Sequence, residues 1–182
     1  VPGIARWIHD TDLREEAVYC LERIPGAASI KALLGAYQEA KDEFKPRILA
    51  ALGHRRAPEA VSLCAEAMRS SNVEIAMAAA KAFGRIGKRP SSPFQFPDPP
   101  RDIDSMLRYA DAQAAEGAAA EAMGIYRKVL ARSEEHWQCA AILGIAKLGT
   151  AEAAAAILPK LKSGNRTVRI TAQNAWKKMA GA

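Results

Sequence analysis

Aromatic residues make up only 6% of this 182-residue chain, and continuous runs of Val, Ile and Thr are missing. A sheet-based core would have little to draw on, whereas abundant Ala suits closely packed helices. No apolar run approaches the about 20 residues that span a bilayer. Cys20, Cys64 and Cys139 are odd in number and far apart, which indicates neither a disulfide framework nor a C-x-x-C metal pair and leaves the compartment open. His9, His54 and His136 have no second ligand at metal spacing. Gly-rich phosphate loops, nucleophile elbows and dinucleotide fingerprints are absent as well. These gaps argue against catalysis, and no cofactor or metal is expected.

At 49% apolar, the chain can still build one substantial core. Its net charge of +6 is uneven. Residues 1–56 carry nine basic and eight acidic side chains, residues 57–116 seven and eight, and residues 117–182 ten and four. The last third holds the excess, a lean that permits acidic partners.

The dominant signal is a repeat. Five segments begin at Leu13, Phe44, Ile75, Trp137 and Val168, separated by 31, 31, 62 and 31 residues. One skipped unit keeps the whole chain in register. Counting from each start, offsets 0, 4, 7, 8 and 11 are apolar or small with few exceptions, Arg55 being one. Those offsets form one helical stripe. On this count Cys20, at offset 7, is expected to be buried, and Cys139, at offset 2, to be more exposed. Pro25, Gly87 and Gly149 close their units. A second helix follows at matching positions: Ile30, Leu33, Tyr37; then Val61, Cys64, Met68; then Ala154, Ile157, Leu161. Neither helix of such a pair can bury its stripe without the neighbouring unit.

The stretches "AFGRIGK", "ALGHRRAPEAV" and "AKLGTAEAAAAILPKLKSGNRTVRITAQNA" resemble the short HEAT repeats of the PBS-lyase type found in bacterial proteins. The resemblance covers roughly residues 1–87 and 133–182. It implies an all-α fold, a right-handed α-solenoid of about five helix pairs forming one continuous domain. It also implies a binding scaffold rather than a defined chemistry, and leans toward an exported protein. Between the two blocks, "KRPSSPFQFPDPPR" at 88–101 holds five of the ten prolines and reads as an extended connector. Residues 102–132 then read as a helical hairpin turning at Gly117, similar to a single TPR motif. Phe94 and Phe96 are expected to pin the connector onto its own domain. Both ends of the chain lack polar caps and Met is not first, as expected for part of a longer polypeptide or for ends that pack on other subunits.

Two sets of residues are candidates for function. Arg23, His54, Arg85, Lys147 and Lys178 all occupy offset 10. A cation there sits in the last helical turn, where the helix dipole favours it by about 0.3–1 kcal/mol. The same column could form a basic ridge for a phosphate backbone or an acidic protein. The second set comes from offsets 1, 2, 5 and 6, which the HEAT resemblance places on the concave side: Arg14, Tyr19, Lys45, Leu49, Met77 and Lys81, then Cys139, Ile142, Leu143, Arg169, Ile170 and Asn174. Apolar side chains here imply either cover by the hairpin or connector, or a partner-binding groove. Asp10, Thr11 and Asp12 read as a helix start after His9, and Ser133 as the cap before His136. The expected function is a non-enzymatic scaffold binding a protein partner. A nucleic-acid-binding solenoid and a lyase-like subunit are the alternatives.

Overall fold

The computed structural model describes residues 1–92 and 94–181; Pro93 of the connector and Ala182 lie outside the described residues. Every regular element described is helical, and none is long and apolar enough to cross a membrane. The chain forms two compact units, Val1–Ser105 and Met106–Ala182.

The first unit begins with a short helix α1 (Pro2–Ala5) and a 3-10 turn over Arg6–His9. Two helix pairs and a single helix follow: α2 (Arg14–Arg23) with α3 (Ala27–Glu39), α4 (Lys45–His54) with α5 (Val61–Ala67), and then α6 (Val73–Ile86). The helix starts and stops are local chemistry. Pro46 stands in the first turn of α4, where its missing N–H is no loss. The Asn72 side chain accepts from the Glu74 and Ile75 amides to open α6, and Gly87 closes it at φ 68°, a left-handed conformation that suits glycine. Before α2, the Asp10 carboxylate accepts from the Asp12 and Leu13 amides, in line with the expected start.

α4 is covered on three sides. α4 packs against α2 on one flank and α6 on the other, while α3 contacts it from the second layer. Ile48, Leu49, Leu52 and Phe83 are consequently buried, each such side chain contributing about 1.5–3 kcal/mol. Gly53 lets α4 and α6 approach closely, since a Cβ there would lie 2.8 Å from the Ala82 Cα. The connector returns to the same core: Phe94 and Phe96 lie with ring centroids 4.7 and 5.7 Å from Phe83, as expected of pinning aromatics. One expectation needs correction here. Cys20 is exposed rather than buried. Offset 7 faces the preceding helix (Ala82 meets Gly53 that way), and before α2 stand only the short α1 and its 3-10 turn.

The second unit holds the remainder of α7 (Ile103–Ala115), then α8 (Ala119–Leu130), α9 (Glu135–Lys147), α10 (Ala151–Ile157) continued by a 3-10 turn to Lys162, and α11 (Arg166–Ala180). α9 packs between α8 and α11. The hairpin α7–α8 turns at Gly117 and is tied by two tyrosines: Tyr109 donates to Glu121 at 2.8 Å and Tyr126 to Asp111 at 2.7 Å. Burial, reinforced by the Asp111 bond, raises the Tyr126 hydroxyl above its ordinary pKa. Thr150 and Asn165 cap α10 and α11. Ser133 does not cap α9; Glu134 holds that position, and the Ser133 hydroxyl donates to the Glu134 carboxylate instead.

Candidate functional site

With about 100° between successive residues, the repeat offsets point in four directions. Offsets 0, 4 and 11 face the second layer, offsets 3, 7 and 10 the preceding helix, and offsets 5 and 9 the following one. Contacts fit this map. Arg47, at offset 3 of α4, reaches back to Glu15 at 3.2 Å and Glu22 at 3.0 Å on α2. Thr171 of α11 donates to the Cys139 sulfur on α9 at 3.4 Å. Offsets 2 and 6 face away from all three, and the long offset-10 side chains reach solvent past the preceding helix. Leu49 and Ile142, placed by the sequence reading among outward residues, are therefore buried, because offset 5 is covered by the next helix in the stack.

What stays open is short and mostly apolar. Tyr19 is 50% exposed and Met77 37% in the first unit; Leu143 is 52% and Ile170 43% in the second. Lys81 and Asn174 are exposed beside them. The expected cover by hairpin or connector is not in place over these side chains. Cys139 is half-buried under the Thr171 bond, and Arg169 is turned inward, donating to the Ser163 carbonyl at 2.5 Å. Both belong to the floor of the face more than to its open surface. Arg14 and Lys45 likewise have partners, Glu43 at 3.2 Å and Asp42 at 2.8 Å.

The offset-10 cations all lie in the last turn of their helices and all are exposed. His54 Nδ1 lies 2.9 Å from Glu22, Lys147 bonds Asp111 at 3.3 Å, and the Arg23 guanidinium stacks on Tyr19 at 4.5 Å. One cation that sequence reasoning set aside is structurally central. Arg55, the exception at offset 11, donates to the carbonyls of Ile24 and, at 3.1 Å, Gly26, where α2 ends. It joins α4 to the α2–α3 turn, whose two carbonyls also accept from the Ser29 hydroxyl at 2.8 and 2.9 Å. The signal available was its very presence at a stripe position.

Elsewhere the chemistry is quiet. Burial pushes the Cys64 thiol up to about 12, so it is held as the inert thiol. A cavity of about 440 Å³ beside α3, α4 and α5 is lined by Tyr37, Lys45, Leu63, Glu66 and Arg69. Its cations are already engaged, Lys45 with Asp42 and Arg69 with the Ala65 carbonyl at 2.9 Å. Among the described residues no three His, Cys, Asp or Glu side chains gather as a metal site.

No protein-family model and no curated protein matches this chain. Solved structures do. A designed armadillo repeat protein is 16% identical with a TM-score of 0.52, covering 98% of this chain and 99% of that one. An engineered protein is 16% identical at a TM-score of 0.54, covering 98% and 96%. Human deoxyhypusine hydroxylase in complex with glycerol is 17% identical over 98% and 84%, and its TM-score of 0.42 is too low to indicate a shared fold. The fold is all-α, of the helical-repeat solenoid class.

Proposed function

We propose that this chain is a non-enzymatic scaffold, a HEAT-like solenoid of the PBS-lyase repeat type with a TPR-like hairpin, which holds a protein partner against the open offsets of its first helices. One observation carries the reading. Large apolar side chains recur at the offsets that no neighbouring helix covers: Tyr19, Met77, Leu143 and Ile170. A solvated helix face has no need of them, whereas an interface core does. The repeat fold supports it by presenting equivalent positions in series.

The test is capture from nuclease-treated lysate with the unaltered chain and three variants, Tyr19→Asp with Met77→Asp, Leu143→Asp with Ile170→Asp, and Gln38→Asp as a control on α3. A stoichiometric protein retained by the control and lost by either face variant is the expected result. Retention by every variant would remove the reading. Nucleic acid bound before nuclease, with nothing left after it, would shift the function to the offset-10 cations.

A further inference from the structure

The open face of the second unit differs from ordinary solvated surface in having cations on both borders, of which only Lys147 has an acidic partner, Asp111 at 3.3 Å. On α9, Leu143 is followed one turn later by Lys147. On α11, Ile170 and Asn174 lie between Arg166 and Lys177 on one border and Lys178 on the other. All of these side chains are exposed. α11 has no acidic residue over its whole length, Arg166–Ala180. Among the described residues no acidic side chain pairs with Arg166, Lys177 or Lys178. The acids at the start of α9 are engaged locally, Glu134 by Arg132 at 2.8 Å and Glu135 by the Asn165 amide at 2.5 Å. Residues 106–182 contain 11 basic and six acidic side chains, hence +5 of the chain's +6.

From this we infer that the α9–α11 face takes an acidic, amphipathic segment of another protein, its apolar side chains seated on Leu143 and Ile170 and its carboxylates on the lysine and arginine borders. The inference rests on the scaffold reading and narrows it to one unit and one partner chemistry. Charge complementarity selects an acidic occupant, since a basic one would meet like charges on both borders. The apolar centre favours peptide over nucleic acid. A phosphate backbone gains nothing from Leu143 and Ile170, and the face has no exposed Phe, Tyr or Trp ring on which a base could stack.

Fluorescence polarisation with short labelled peptides tests it on the full chain. The probe is an amphipathic leucine–glutamate peptide, compared with leucine–lysine and serine–glutamate analogues and with oligothymidylate. The leucine–glutamate peptide should bind at least about tenfold tighter than any of the three. Leu143→Asp with Ile170→Asp should weaken it about tenfold or more with an unchanged circular dichroism spectrum, both positions being exposed. Lys177→Glu with Lys178→Glu should weaken it and improve binding of the lysine analogue. Equal affinity for the glutamate and lysine peptides, equal affinity for the serine analogue, or tighter oligothymidylate binding would each overturn the inference. Should that happen while lysate capture still depends on Tyr19 and Met77, the scaffold reading stands and only the acidic partner falls.

Discussion

The two units use the same repeat offsets and treat charge in opposite ways. In the first, acids and bases meet across neighbouring helices: Arg47 bridges Glu15 and Glu22, His54 adds to Glu22, and Arg14 pairs with Glu43. Residues 1–105 hold 15 basic and 14 acidic side chains and are close to neutral. In the second, Lys147 pairs with Asp111 and Arg127 with Glu152, but α9 and α11 meet through packing and neutral bonds such as Thr171 to Cys139, and Arg166, Lys177 and Lys178 of α11 are left to solvent. Exposed ion pairs are each worth only about 0–1 kcal/mol, so this difference says little about stability. It concerns what each face can attract.

Packing, by contrast, decides stability in both units, and adjacent positions on α9 expose the rule most sharply. Ile142 is buried against the next helix and Leu143 is open. Ile142→Ala should cost about 2–5 kcal/mol and Leu143→Ala within about 0.5 kcal/mol, measured by urea unfolding. Similar losses at the two positions would break the flank-and-face map. Next in size is a pair of glycines in the same unit. A Cβ on Gly144 would fall 2.3 Å from the Tyr126 ring, whereas one on Gly124 would meet nothing within 4 Å. Gly144→Ala should destabilise by about 1–3 kcal/mol and Gly124→Ala stabilise by about 0.5–1 kcal/mol, read as opposite shifts in thermal midpoint.

Arg55 gives the matching test in the first unit. Its truncation removes the bonds that join α4 to the turn after α2, for an expected cost of about 1–3 kcal/mol in Arg55→Ala against nearly none in Arg56→Ala, by the same urea experiment. The smallest effect is electrostatic. Arg132 holds the Glu134 carboxyl at about 2, below the ordinary 4.5. A depressed carboxylate stabilises the fold above the ordinary value and loses that contribution as pH falls from about 4.5 through about 2. In Arg132→Ala the Glu134 titration, followed by carboxyl NMR, should move up toward the ordinary value; an unmoved titration would mean that Arg132 is not the cause.

Much of this architecture was legible in one dimension. The 31-residue register located α2, α4, α6, α9 and α11, and Gly117 the hairpin turn, because helix period, caps and turns depend on residues a few positions apart. The last-turn cations were legible for the same reason. The candidate face was legible only in part. Tyr19, Met77, Leu143 and Ile170 are open as read, but Leu49 and Ile142 were grouped with them and are buried, while Cys20 was placed in the core and is exposed.

Those three share a cause. A helical stripe shows which side of a helix meets its own hairpin partner, and that side was read from sequence alone. Whether a flank is also covered depends on which helix precedes and which follows it in the stack, a long-range relation with no counterpart in local spacing. The sequence by itself determined the repeat, the helices, their ends and the charge on α11. Tertiary packing decided the rest: it buried offset 5 and offset 7 wherever a neighbour stands, joined Arg55 to the turn after another helix, and left large side chains at offsets 2 and 6 open.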